Sequence, residues 1–249
     1  MNLLRNDLTK FRRSHMWAVL TLVPLIAVAI GAGNYAGNQG QLDSGWTSYL
    51  SQIMLFYGMI FMTVGIAIIA SAAWRVEHRG HNWLSLLTST RSASSLAASK
   101  IAAISLVAVA MQAALVVLAI VVGLALGVPG TPPGTFFAVA LLSLLPATAV
   151  SAWQSFLSMV IRNFAGPVAI ALVASIFSFG VLASGATFAR FVLPPGLLSD
   201  TLWLGSSAVA GASAISTATV AQVVFGSLAL SVAGWFAATA YLRTTDVRL

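Results

Sequence analysis

Long apolar runs separated by short polar segments dominate this chain. No formal charge occurs in residues 101–161, 163–189 or 201–242, and Asp43 is the only one between Met16 and Trp74. A membrane-spanning helix needs about 20 mainly apolar residues. The runs are continuous and do not alternate with polar residues, which favours helices over barrel strands. The pattern therefore predicts six spanning helices, near residues 16–33, 53–74, 101–127, 136–161, 167–188 and 220–242.

Composition places the chain in the same class. It is 59% hydrophobic and 7% charged, with a mean hydropathy of +0.96, so it lacks the charge needed to cover a water-facing surface. The few basic residues exclude a nucleic-acid partner, and the lack of cysteine excludes disulfides, thiolate metal sites and a cysteine nucleophile. We expect an all-α, multi-pass integral membrane protein with a single domain over residues 1–249.

The distribution of basic residues predicts the orientation. Eleven of the twelve Lys and Arg residues fall in segments 1–15, 75–100, 162–166 and 243–249, and Arg190 is the exception. Because Lys and Arg concentrate in cytoplasmic loops, both termini are predicted to be cytoplasmic.

Segment 189–219 is too apolar for a free loop, yet Pro194, Pro195 and Gly196 interrupt it. It is predicted to form short or re-entrant helices on the outer side, before the sixth span. A flexible loop rich in Ala and Ser is the alternative.

The predicted spans contain no ionisable residue in their central parts, which excludes a proton relay at membrane depth. The sequence also has no G-x-x-x-x-G-K-[ST] phosphate-binding motif. His78, His81 and Glu77 are close in sequence, but Gly80 and flanking arginines argue against a cation site, and we expect no metal. No catalytic constellation occurs, so we do not expect an enzyme. If nucleotide powers transport, a separate cytoplasmic subunit must bind it; sodium coupling through backbone carbonyls is the alternative.

The N-terminal segment 1–15 is predicted to form an amphipathic helix in the membrane interface, in contact with lipid. Leu4, Leu8, Phe11 and His15 share one helical face, and the basic residues lie largely off it. Those basic residues are Arg5, Lys10, Arg12 and Arg13. The alternative is that these charges only orient the first span.

Segment 75–100 is the only predicted inner loop long enough to form structure of its own. It contains an apolar cluster of Trp83, Leu84, Leu86 and Leu87, flanked by Arg79 and Arg91. An aromatic anchor beside arginine is a common composition of binding hot spots, so the cluster is predicted to dock into a groove on a partner. A surface helix resting on lipid is the alternative.

These features resemble the permease subunits of ABC-2-type ABC transporters, particularly the short six-span permeases of lantibiotic immunity and peptide-antibiotic efflux. The resemblance rests on the order of an amphipathic Lys10–Ser14 segment, two spans and a polar loop. That loop carries Glu77, the Trp-Leu-x-Leu-Leu-Thr run Trp83–Thr88, Arg91 and Lys100. The proline usual near the end of this loop in the family is missing; Ser89 and Thr90 occupy that region.

The resemblance implies a function and partners. The chain would be the permease subunit of an exporter in the bacterial plasma membrane, moving an antimicrobial peptide or a lipid-like amphipathic drug. Cytoplasmic ABC ATPase subunits would bind ATP and Mg, with no cofactor on this chain, and a second copy or a sister permease would complete the path. A non-transporting membrane scaffold or sensor that anchors a cytoplasmic partner is the alternative.

The resemblance also implies roles for individual residues. Trp83, Leu84 and Leu87, on a coupling helix between helices 2 and 3, would enter the ATPase groove. Arg79 and Arg91 would pair with the acidic rim of that groove. Glu77 would hold the loop to the N-terminal helix through Arg12 or Arg13.

Four polar residues lie within the long predicted spans and are candidates for a substrate path: Gln112, Thr148, Ser151 and Gln154. Hydrogen bonds between helices are the alternative role for such side chains.

Overall fold

The computed structural model describes residues 3–12, 16–78, 92–186 and 188–244. Within these ranges the chain is helical and contains no strand, which confirms the all-α prediction. The helices are α1 Leu3–Arg12, α2 Met16–Gly37, α3 Trp46–Phe56, α4 Met62–His78, α5 Ala93–Ala125, α6 Gly134–Leu142, α7 Leu144–Val160, α8 Ala165–Ala183, α9 Ala189–Val192, α10 Pro194–Leu202 and α11 Thr217–Thr244.

Six helical stretches in the described part of the chain are long and apolar enough to cross a membrane, as predicted. They are Met16–Gly37, Trp46–His78, Ala93–Ala125, Gly134–Val160, Ala165–Ala183 and Thr217–Thr244. Large apolar side chains on their outer faces are exposed, among them Leu141, Val173 and Phe225. A soluble protein would bury such residues, whereas a lipid solvent accommodates them.

The second span begins earlier than the predicted residue 53. Its helix starts at Trp46, and the polar side chains of Ser48, Ser51 and Gln52 are buried. The amide Nδ2 of Asn34 donates a hydrogen bond to Oε1 of Gln52 (2.7 Å), and the amide of Ser207 donates to Oγ of Ser51 (3.0 Å). These partners allow polar residues to continue a helix that hydropathy alone ends sooner.

Small residues bring the spans together. A Cβ added at Gly31 would lie 2.5 Å from Cα of Ile53, so α2 and α3 meet backbone to backbone at this point. Gly123 on α5 leaves room for the Trp46 ring in the same way. In addition, α7 packs against both α4 and α11, and α2 packs against α5. Such close approach is typical of helix pairs in membranes.

A short π-helical segment, Tyr57–Phe61, joins α3 to α4, and α10 packs beside it. The Ser199 hydroxyl donates to the carbonyl oxygen of Gly58 (2.7 Å), and Nε1 of Trp203 donates to that of Leu55 (3.4 Å). Gly58 has no side chain to hinder this approach, since a Cβ there would lie 3.1 Å from Cβ of Leu202. The irregular turn is therefore covered by α10.

The segment predicted to form outer helices contains α9 and α10, followed by turns and irregular chain up to Ser216. The side chains of Arg190 and Asp200 join the two helices, with 3.5 Å between Nη1 and Oδ2. Leu198 and Leu202 are buried in the main core. Entry of this segment into the outer leaflet stays a prediction.

Candidate functional site

Three ionisable side chains meet in a buried cluster at the end of the bundle that carries α1. The Lys100 ammonium donates to Oδ1 of Asp7 at 2.8 Å and to Oε1 of Glu77 at 2.7 Å. Lys100 and Glu77 are each 1% exposed and Asp7 is 5% exposed. We call Asp7, Glu77 and Lys100 the ion-pair cluster.

Neighbouring side chains fix the geometry of the cluster. The Ser99 hydroxyl donates to Oδ2 of Asp7 (3.1 Å), so both carboxylate oxygens of Asp7 are engaged. The Lys100 ammonium also lies 5.6 Å from the centre of the Trp74 ring, within the range of a cation–π interaction. The lysine is thus held by two carboxylates and one aromatic face.

Helix α1 is amphipathic, and Asp7 lies on its buried face. Asp7 and Phe11 are four residues apart on the buried face, and Arg5 and Thr9 are exposed on the other side. Leu4 and Leu8 are half-buried against the core. The same apolar face that holds α1 on the bundle therefore carries the Asp7 carboxylate inwards.

Two members of the ion-pair cluster flank residues 79–91 in the sequence. Glu77 is the next-to-last residue of α4, and Lys100 is in the second turn of α5. The described chain resumes at Ser92, which caps α5 by accepting from the amide of Ser95 (3.2 Å). The ion pairs consequently tie the two helix ends on either side of residues 79–91 to each other and to α1.

A second set of polar contacts joins the same end of α4 to α7. Nε1 of Trp74 donates to Oγ of Ser155 (2.9 Å), and Nε2 of His78 donates to the carbonyl oxygen of Ser158 (3.0 Å). The hydroxyls of Ser71 and Ser158 lie 3.3 Å apart. A displacement of the α4 end therefore pulls on α7 as well as on α1 and α5.

Burial makes the ion-pair cluster hard to dismantle. Removing one member of a buried ion pair costs about 3–5 kcal/mol, because it leaves the other charge in a medium of low dielectric. Replacing the whole group with apolar side chains is often neutral, so stability alone does not explain why such groups occur. What the cluster does provide is a single, defined arrangement of α1 and the adjoining ends of α4 and α5.

Comparison with known families decides the class. Residues 3–178 match the sequence model of the family described as "ABC-2 family transporter protein". The chain belongs to this ABC-2 family. Its members are membrane components of ABC transporters, so this ABC-2 protein is a multi-pass membrane protein with a transport role. No curated protein matches the chain.

Most residues predicted to couple this ABC-2 protein to a partner lie outside the described residues. These are Arg79, Trp83, Leu84, Leu87 and Arg91, together with Arg13 of the N-terminal segment. The side chains of Lys10 and Arg12 are likewise outside the description. Their roles stay predictions. Phe11 is described and is buried in the main core.

Glu77 is joined to the N-terminal helix through Lys100, which lies between Glu77 and Asp7. The predicted contact of Glu77 with Arg12 or Arg13 involves side chains outside the described residues and stays a prediction. The resemblance includes Lys100 but gives no role to Asp7. A signal existed: Asp7 is the one acidic residue in segment 1–15, and charged residues next to long apolar runs are rarely buried without a partner.

The assignment of the four candidate residues to a substrate path stays a prediction. The hydroxyls of Thr148 and Ser151 donate to carbonyl oxygens of their own helix, at Leu144 (3.0 Å) and Ala147 (2.8 Å). These two bonds satisfy each hydroxyl donor within its own helix. Gln112 and Gln154 are each 4% exposed. Within the described ranges, both amide atoms of Gln112 and Oε1 of Gln154 are buried with no hydrogen-bond partner.

Proposed function

We propose that this ABC-2 protein is the permease subunit of an ATP-driven exporter, powered by ATPase subunits that bind ATP and Mg. Two facts support this. The family is one of transporter membrane proteins, and the sequence contains no phosphate-binding motif of its own. Nucleotide energy therefore has to enter through a contact with another chain.

The ion-pair cluster is the observation that carries the proposal. An ATPase can do work on the helices only if the segment it contacts is mechanically joined to them. Glu77 and Lys100 join the two helices that carry loop 79–91, and Asp7 adds α1 to the same unit. Force applied to the loop is thereby delivered to three helices together.

Helix α4 transmits this displacement along the bundle. It extends from the ion-pair cluster to the π-helical segment and, with 17 residues at 1.5 Å each, is about 25 Å long. At its far end α10 covers the irregular turn through the Ser199–Gly58 hydrogen bond. In our proposal, closure of the ATPases shifts α4 and loosens this contact, so that the two ends of the membrane path open in turn.

The contact with the ATPase is assigned to loop 79–91. Trp83, Leu84 and Leu87 form the apolar anchor on its coupling helix, and Arg79 and Arg91 pair with acidic residues around the groove that receives it. The loop is cytoplasmic in this proposal, together with both termini, as the distribution of basic residues favours. Its ends are fixed by the ion-pair cluster, which limits the entropy lost on docking.

The substrate and the remaining partner are assigned from the resemblance to lantibiotic-immunity and peptide-antibiotic efflux permeases. The chain acts in the bacterial plasma membrane beside a second copy of itself or a sister permease. The two enclose a path for an antimicrobial peptide or a lipid-like amphipathic drug. The apolar outer surfaces of the spans suit a substrate that arrives from the bilayer.

Replacing Trp83 with Asp should abolish capture of the ATPase by the tagged chain. The anchor would then have to bury a carboxylate in an apolar groove, which costs several kcal/mol. Ser85→Asp in the same loop is the matched control, since it adds the same charge outside the anchor. The measurement is co-purification in mild detergent, quantified by mass spectrometry, with membrane insertion checked for each variant.

Equal capture by Trp83→Asp and wild type would refute the docking role of the loop. Equal loss in both aspartate variants would show that the loop tolerates no negative charge and would remove Trp83 as the specific anchor.

A further inference from the structure

A groove lies beneath α1, between this helix and two of the spans. Its lining is apolar and includes Leu8 and Phe11 of α1, Trp17 of α2, and Leu106 and Ala110 of α5. The groove has a volume of about 290 Å³. These residues lie at the α1 end of the bundle, near the start of the first span and within the third.

The depth of the groove in a membrane follows from its neighbours. Trp17 is 58% exposed at the start of the first span, and exposed tryptophans concentrate where the acyl chains meet the headgroups. Leu106 and Ala110 lie further along α5, on the bilayer side of that level. The groove thus extends from the headgroup region into the acyl-chain region.

A basic side chain lies next to the groove. Arg5 is exposed and is one helical turn before Leu8, which lines the groove. Segment 1–15 contains one acidic residue, Asp7, which is buried against Lys100, so the ion-pair cluster removes this negative charge from the surface of α1.

We infer that this groove is a binding site for one anionic phospholipid, with an acyl chain in the groove and the headgroup phosphate beside Arg5. An apolar groove alone does not distinguish this lipid, since acyl chains are as apolar as the groove lining. Selectivity comes from the charges. Each basic residue near the membrane surface favours an anionic lipid about fivefold, the equivalent of about 1 kcal/mol.

Lipid bound in the groove affects the proposed transport function, but the lipid site does not depend on that function. A lipid in the groove contacts α1 and α5 together, and Asp7 and Lys100 join the same two helices. Bound lipid therefore stabilises the position of α1 on which the ion-pair cluster depends. Lipid binding can be measured on the purified chain without any ATPase, so failure of either proposal is seen separately.

The test counts lipids retained by the full chain in native mass spectrometry after exchange with equal amounts of palmitoyl-oleoyl phosphatidylglycerol and phosphatidylcholine. Wild type should retain one phosphatidylglycerol in several-fold preference to phosphatidylcholine. Arg5→Gln, on the exposed side of α1, should lower this preference roughly fivefold while leaving phosphatidylcholine binding unchanged.

A second pair of variants tests the groove itself. Ala110→Phe places a ring in the groove and should remove the retained lipid. Ala113→Phe is the matched control, because Ala113 is exposed on the same helix but does not line the groove. Equal lipid counts in the two phenylalanine variants, or equal retention of both lipids by wild type, would overturn the assignment. Loss of a dimer in Ala110→Phe with an unchanged lipid count would assign the groove to a second copy of the chain, which would also overturn it.

Discussion

At the scale of single residues, Lys100 is the side chain on which the site depends. Its ammonium is shared by Asp7, which is 93 residues earlier in the chain, and Glu77, which is 23 residues earlier. The sequence shows only a lysine at the start of an apolar run. The sequence marks Asp7 as a charge that needs a partner, but it does not identify Lys100 as that partner, because only the packing of α1 on α5 brings the two together.

Lys100→Met should destabilise the protein by about 3–5 kcal/mol, since it keeps most of the length of the side chain but leaves two buried carboxylates without their shared cation. For a chain of this size we expect the midpoint of thermal unfolding to fall by roughly 10 °C. Hydrogen exchange of the backbone amides of Leu3–Arg12 should rise, because α1 loses its ion pair.

Arg243→Met is the control for this prediction. Arg243 is also basic but is exposed on α11, so its replacement should change stability by no more than about 0.5 kcal/mol. If Lys100→Met unfolds at the same temperature as Arg243→Met, with unchanged exchange in α1, the ion-pair cluster does not hold α1 and the ends of α4 and α5 together.

At the scale of elements, what could be predicted follows from length and hydropathy. Six apolar runs of sufficient length gave six spans, and the structure contains all six. Their ends were less predictable, because polar residues such as Gln52 continue a helix once Asn34 supplies a partner. Helix α10 covers the π-helical segment through a hydrogen bond between Ser199 and Gly58. Hydropathy does not encode such a bond, so this contact could not be predicted.

The close contact between α2 and α3 predicts different effects on stability for alanine substitutions at two glycines of α2, Gly31 and Gly33. In Gly31→Ala the new methyl group would lie 2.5 Å from Cα and 2.7 Å from N of Ile53, and backbone atoms cannot rotate away. We expect a loss of about 1–3 kcal/mol from overpacking. Gly33→Ala, two residues along the same helix, meets no atom within 4 Å and should be neutral or stabilise the helix by up to about 1 kcal/mol.

The measurement is the thermal unfolding temperature of the two alanine variants in the same detergent. Equal unfolding temperatures would show that α2 and α3 are not packed as closely as the structure places them.

At the scale of the whole molecule, membership of the ABC-2 family and a membrane-spanning bundle are findings, and the use of a separate motor is the proposal. The described residues explain how such a motor could act, because the ion-pair cluster joins α1, α4 and α5 where loop 79–91 begins and ends. The predicted docking residues lie within that loop. The docking role of these residues is therefore supported by the sequence alone, whereas the arrangement of the helices on either side of them comes from the structure.

Substrate-stimulated ATP hydrolysis tests the central claim most directly. The chain is reconstituted into vesicles with the ATPase that co-purifies with it, and ATP turnover is measured with and without the lantibiotic peptide nisin as probe. If the chain is an exporter subunit, nisin should raise turnover in wild type. Lys100→Met should retain the ATPase but lose most of this stimulation, since force no longer reaches three helices together. ATP turnover indifferent to nisin and to a lipid-like amphipathic drug would contradict the account and leave the chain a scaffold.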